Sequence, residues 1–180
     1  MEQSLKNQKL HQQHKSYLIT LSIMPRHQYK KLTVQPDPIY GSFEVAKLIN
    51  FILRDGKKTT AEKIVYGVLE RLKKEGQDAI KILNQAISNV SPNHEVKPKR
   101  LGGASYLVPI EVRKERKLFL SLNWIVTNAR AKSNKEFHSF EEKLYTEIKD
   151  AAQNQGPSIA KKAQTEKLAE ANKAFAHLKW

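Results

Sequence analysis

Gly56-Lys57-Lys58-Thr59-Thr60 ends as a nucleotide-binding phosphate loop ends, with glycine, lysine and hydroxyl side chains in a row. The first glycine of that motif would fall at position 51, where Phe51 stands, so nucleotide hydrolysis is set aside. The lysines keep a simpler use. They sit beside a predicted helix start, where unsatisfied N–H groups and the helix dipole favour a phosphate, including one in a nucleic-acid backbone. His11 and His14 have a metal-compatible spacing but no neighbouring ligands, and His27, His94, His138 and His177 are scattered. Glu141-Glu142, and Glu44 with Asp55, fall at predicted helix ends, where capping explains them more simply than acid–base catalysis. No nucleophile has an evident base, and the absence of cysteine excludes disulfides, thiolate zinc sites and cysteine nucleophiles. The expectation is no catalytic residue, no metal, no cofactor and no small-molecule substrate.

A different chemistry is concentrated in His94–Lys117, HEVKPKRLGGASYLVPIEVRKERK. Val96, Leu101, Tyr106, Val108, Ile110 and Val112 are strand formers interrupted by charge, and Gly102-Gly103 supplies the positive φ that a tight hairpin turn requires. Pro98 and Pro109 donate no ladder hydrogen bond and suit a two-stranded ribbon better than a wide sheet. Lys97, Lys99, Arg100, Arg113, Lys114, Arg116 and Lys117 line this arm. An isolated hairpin is marginal in water, so it is expected to become ordered against a polyanion rather than against a core.

The whole chain points the same way. Its 180 residues suffice for one domain with appendages, and 32 lysines and arginines against 18 acidic residues give a formal charge of +14. The expected counter-charge is nucleic acid. A spanning helix would need roughly 18 to 20 consecutive apolar residues, and no run approaches that, so no membrane partner is expected.

The elements that must position these groups are helical. Val45, Leu48, Ile49, Ile52 and Leu53 recur at helical spacing before the stop at Asp55-Gly56. Thr59 and Glu62 form a capping box for a second helix bearing Ile64, Val65, Val68, Leu69 and Leu72. A third runs from Asp78 through Ile82, Leu83, Ala86, Ile87 and Val90 to Ser91-Pro92. After the hairpin, a fourth begins near Lys117 and carries Leu118, Leu122, Ile125, Val126 and Ala129. Ser139 and Glu142 cap a fifth, Gly156-Pro157 breaks it, and residues 158–180 form a basic helix extending off the body. Trp124 and Phe175 are placed in the core.

The fold class is therefore all-α: a bundle of about six helices with a protruding two-stranded β-hairpin arm between the third and fourth. A basic N-terminal arm and a C-terminal helical extension complete it. Residues 1–23 are rich in Gln, Lys and His and are expected to be disordered. From Met24 the arm MPRHQYKK mixes charge with stackable rings, Arg26, His27, Tyr29, Lys30 and Lys31, a composition suited to RNA. A basic helical DNA-binding or architectural protein is the competing class, but a recognition helix would concentrate its charge on one face, whereas here it is spread over arms.

DPIYGS, LINFILRDGKKTTAEKIVYGVLE, NVSPNHEVKPKRLGGASYLVPIEV and AEANKAFAHLKW together resemble, in order and spacing, the bacterial-type small ribosomal subunit protein seven family. The resemblance covers Met24 to Trp180 as a single domain with its hairpin at about 94–116, and leaves residues 1–23 as a lineage-specific extension. It implies a structural constituent that binds small-subunit rRNA, organises the subunit head, and lines the tRNA exit site and the mRNA exit path. Implied partners are that rRNA, exit-site tRNA and mRNA by proximity, and neighbouring ribosomal proteins of head and platform. The implied location is the ribosome of a bacterial cytoplasm or an organelle. By position, Arg26, Tyr29, Lys30, Lys31, Lys57, Lys58, Lys97, Lys99, Arg100, Arg113, Lys114 and Arg116 match RNA-facing positions. Lys117, Arg130, Lys132, Lys161, Lys162 and Lys173 join the expected set. Leu101, Gly102, Gly103, Ala104, Ser105 and Tyr106 form the tip near tRNA and mRNA. His94, Pro98 and Leu107 depart from the family pattern.

Overall fold

In the computed structural model the described residues are 34–178, Gln77 excepted, and they lie in the second of two units, Met1–Thr33 and Val34–Trp180. Residues 1–23, the arm residues Arg26, His27, Tyr29, Lys30 and Lys31, and Trp180 fall outside the described residues.

Six α-helices, one ribbon and a terminal 3₁₀ turn follow one another among the described residues. Helix α1 (Phe43–Ile52) is capped by Ser42, whose Oγ accepts from the Val45 N–H at 3.4 Å. Asp55 and Gly56, both with positive φ, then reverse the chain. Helix α2 (Lys58–Lys74) starts directly after that reversal with Lys57 at its N-cap and no capping side chain. The capping box expected from Thr59 and Glu62 is not formed. The left-handed pair brings the Lys58 N–H to the Gly56 carbonyl at 2.8 Å, so the helix is under way before Thr59, and Glu62 pairs with Lys58 at 3.7 Å.

Helix α3 (Ala79–Val90) starts where expected and is capped by Asp78, whose Oδ1 accepts from the Ile80 and Lys81 N–H groups at 3.2 and 3.4 Å. Helix α4 (Lys114–Ala131) begins nearly a turn earlier than expected. Strand pairing has already ended at Glu111, so the basic run is free to turn helical, and Glu115 in its first turn complements the helix dipole. Ser139 caps helix α5 (Phe140–Ala152) by accepting from the Glu142 N–H at 3.2 Å. The reciprocal half of the box shifts by one residue, because the Glu142 carboxylate accepts from His138 rather than from Ser139.

The apolar faces meet in one core, in which Leu48, Leu69, Leu72, Leu83, Leu122, Ile125, Leu144 and Ile148 are fully buried and Trp124 packs against the edge. Phe175 was also placed in the core, but it lies half-buried in the terminal turn against Tyr106.

Strands β1 (His94–Leu101) and β2 (Ala104–Glu111) pair antiparallel from His94↔Glu111 to Leu101↔Ala104. Only Gly102 and Gly103 remain in the turn, at φ 55° and 90°, as a tight hairpin with two left-handed central residues demands.

Two expectations are overturned at the C-terminus. Helix α6 (Pro157–Ala171) does not extend off the body: it packs on α3, α4, α5 and the ribbon. Ser158 is fully buried, donating to Glu147 Oε1 at 2.6 Å and accepting from Asn128 Nδ2 at 3.0 Å. Nor is the hairpin isolated. Its Val108 is fully buried, Tyr106 lies 5.4 Å ring to ring from Phe175, and Lys99 Nζ donates to the Leu178 carbonyl at 3.4 Å. The 3₁₀ turn Lys173–Leu178 thus lies along β2, and protein supplies surface that a lone ribbon would lack.

At the other end, buried Asp37 ties the first loop to α2. Its carboxylate accepts from the Ile39 and Tyr40 N–H groups at 3.1 and 3.0 Å and from the Tyr66 hydroxyl at 2.7 Å. Burial, then the Asp37 carboxylate, push the Tyr66 phenol from 10.0 up to about 12. The folded protein thus holds this proton longer than the unfolded chain, so the contribution is complete below pH 10.0 and is lost as pH rises to about 12. Tyr66→Phe is expected to lower neutral-pH stability by about 1–3 kcal/mol, through the unpaired buried carboxylate oxygen, and to flatten the alkaline loss. Urea titrations at pH 7 and from pH 9 to 12 check both. Gly156, at φ 90° and ψ 174°, holds a conformation nearly closed to other residues. Gly156→Ala is expected to cost about 1–3 kcal/mol, read as a lowered urea midpoint.

Candidate nucleic-acid interface

The fold sorts the cations that the sequence offered into two groups. Lys57 at the start of α2, Arg100 beside the ribbon turn, Arg113 and Lys114 at the start of α4, Lys161 on α6 and Lys173 in the 3₁₀ turn are exposed. Among the described residues no hydrogen bond or ion pair engages these six side chains. Lys58 and Lys97 are exposed too, held only loosely by Glu62 at 3.7 Å and Glu95 at 4.0 Å.

The second group bonds within the protein. Lys99 reaches the Leu178 carbonyl as described above. Arg116 donates from Nε and Nη2 to Glu95 Oε2 at 3.3 and 3.2 Å, joining α4 to β1. Lys117 donates to Asn93 Oδ1 at 2.8 Å, and Lys162 to the Asn89 carbonyl at 2.8 Å. Arg130 Nη2 caps the end of α1 through the Phe51 and Ile52 carbonyls at 3.3 and 3.2 Å. Partial burial, then the neighbouring Arg54, lower its pKa. Lys132, only 15% exposed, pairs with Glu147 at 3.1 Å and Asp150 at 3.4 Å. Glu147 Oε2 receives no aligned hydrogen bond, so the contact is an ion pair rather than a directed bond.

At the tip, Gly102, Gly103, Ala104 and Ser105 are exposed, whereas Leu101 is half-buried and Tyr106 leans on Phe175. The ribbon base and α6 enclose a groove of about 550 Å³ whose lining includes Glu111, Glu166, Glu170 and Lys173. A smaller cavity of about 290 Å³ lies between Arg54, Asp55, Lys57 and Arg130. Arg54 was not singled out in the sequence; its signal was its place one residue before the Asp55-Gly56 reversal. No group of three or more His, Asp or Glu able to hold a metal occurs among the described residues. No described helix is long and apolar enough to cross a membrane.

Residues 24–173 match the family model described as ribosomal protein S7p/S5e. The chain belongs to that family. The matched span takes in every α-helix and the whole ribbon described above. Among its relatives, the small ribosomal subunit protein uS7 of Thermodesulfovibrio yellowstonii is 52% identical over 159 residues, which is 87% of this chain and 100% of that protein. The uS7 of Thermoanaerobacter pseudethanolicus is 50% identical over the same length and shares. That of Caldanaerobacter subterraneus subsp. tengcongensis is 52% identical over 151 residues, 83% of this chain and 95% of the relative.

Because Glu147 is fully buried, Lys132→Met leaves a buried charge without its counter-ion. A loss of about 3–5 kcal/mol is expected, measured by urea unfolding, with Lys132→Met/Glu147→Met recovering most of it.

Proposed function

We propose that this protein is a structural component of the small ribosomal subunit that binds its rRNA by electrostatics and shape, without catalysis. The observation that carries this reading is the placement of unpartnered cations at helix starts and on the ribbon of an S7-family chain. Cations so placed displace counterions from phosphates and fix register, while RNA shape and unpaired bases supply selectivity. The proposed RNA-facing set is led by Lys57, Lys58, Lys97, Arg100, Arg113, Lys114, Lys161 and Lys173. Arg26, Tyr29, Lys30 and Lys31 of the N-terminal arm join them on sequence grounds. Lys99, Arg116, Lys117, Arg130, Lys132 and Lys162 stand second, because their side chains already bond within the protein.

In this reading residues 24–180 form the ribosomal domain and residues 1–23 a lineage-specific extension. The protein works on the ribosome, organising the subunit head beside neighbouring ribosomal proteins, with the tip Leu101–Tyr106 near exit-site tRNA and mRNA. The relatives' shared description, small ribosomal subunit protein, supports the assignment.

Binding of the full chain to small-subunit head rRNA and to duplex DNA of equal length, across a salt series, tests it. Preference for the rRNA is expected to persist at high salt, and Lys57→Gln to flatten the slope of log affinity against log salt by about 0.7–0.9. Equal affinities that fall together with salt would overturn the assignment.

A further inference from the structure

Phe51 and Phe119 are an aromatic pair that the function described so far does not use. Phe51 of α1 and Phe119 of α4 meet edge to face, with centroids 5.2 Å apart and planes inclined at 64°. Phe119 is 45% exposed, although its helix has a fully buried face available at Leu122, Ile125 and Ala129. Cations lie over this ring and near the end of α1. One turn earlier on α4, the Arg116 guanidinium lies over Phe119 at 5.2 Å from its centroid, oriented by Glu95. Beyond Phe51, Arg130 is fixed to the Phe51 and Ile52 carbonyls and, with Arg54 and Lys57, outweighs the single carboxylate of Asp55 around the 290 Å³ cavity.

Two adjoining rings, Phe119 of α4 and Phe51 of α1, thus have Arg116 over one of them and Arg54, Lys57 and Arg130 gathered near the end of α1. An apolar protein partner would be matched by a neutral rim. A half-exposed ring with cations nearby matches a nucleotide strand, whose bases stack on rings and whose phosphates take the charges. A duplex is a poor fit, because its bases are stacked on one another and offer no free face to the ring. We propose that Phe119, backed by Phe51, is a stacking platform for an unpaired base of single-stranded RNA, with the exposed Arg54 and Lys57 near the end of α1 holding an adjacent phosphate. The proposal rests on the RNA-binding reading above and adds to it the class of nucleotide this face takes.

The test compares two probes of equal charge, a 12-nucleotide oligoadenylate and an abasic oligomer of the same length, binding to the full-length protein by fluorescence anisotropy. Wild type is expected to prefer the oligoadenylate by roughly 5- to 100-fold. Phe119→Leu, which keeps apolar packing on Phe51 while removing the ring, abolishes that preference and leaves the salt slope unchanged, whereas Phe119→Trp keeps it. Equal binding of the two probes by wild type overturns the proposal, as does a preference that survives Phe119→Leu. Small-subunit head rRNA, measured alongside, separates the two readings. Retained rRNA preference with no base preference rejects the platform alone, and loss of rRNA preference over duplex DNA rejects the function on which it rests.

Discussion

The Ser158 hydroxyl, buried between Glu147 and Asn128, anchors the start of helix α6 to the core, and much of the outer structure depends on where α6 runs. Three helices converge there: Asn128 comes from α4, Glu147 from α5 and Ser158 from α6. Lys132 closes the group from the α4 end by supplying charge to Glu147 and Asp150. A buried carboxylate tolerates removal of neither its hydrogen bond nor its counter-ion, so the three helix ends are held in one arrangement. From this anchor α6 passes along β1, Glu166 accepts from the Asn93 N–H at 2.9 Å, and the 3₁₀ turn then covers β2. The ribbon is held by a helix whose origin lies on the far side of the core sequence.

A chain of charge +14 must also manage its own repulsion. Part of the positive charge is absorbed where it has structural use. Arg130 takes carbonyls at the end of α1, Arg116 takes Glu95 at the ribbon base, and Lys132 takes Glu147 in the interior. Each of these fixes one element against another. Exposed cations such as Lys57, Arg100, Arg113, Lys114, Lys161 and Lys173 carry charge outward, where water screens it until a polyanion replaces the counterions. Charge count alone therefore overstates the binding surface, because a cation with a buried partner contributes rigidity and little counterion release.

Most of the helical architecture was legible because apolar residues fall at helical spacing, and the Asp78 and Ser139 caps could be read from one residue and its neighbours. The ribbon was legible from Gly102-Gly103 and alternating strand formers. Thr59 misled because a capping box is a local signal, and the left-handed pair Asp55 and Gly56 outranked it. The docking of α6 left no such trace. Its buried anchors are Ser158 and Ala169, small residues that do not draw an apolar stripe along the helix, and their partners lie on α4 and α5. For the same reason Lys132 and Arg130 look like Lys57 in sequence. What separates them is a carboxylate or carbonyl brought close by the fold, from 15 residues away in Glu147 to nearly 80 in Phe51.

The covered ribbon changes the energetics expected of recognition. A hairpin ordered only by its ligand must lose backbone and side-chain entropy on binding, which subtracts from affinity and makes association sensitive to every contact that drives folding. Here Val108, Tyr106 against Phe175, and Glu95 with Arg116 order the strands before any ligand arrives. One side of the ribbon is covered, while exposed residues run from His94 and Glu111 at its base through Lys97, Pro98 and Leu107 to the turn. Binding to such an arm costs mainly the freedom of long side chains such as Arg100, and its geometry can discriminate among RNA shapes, because a preformed arm cannot follow a surface that does not fit it.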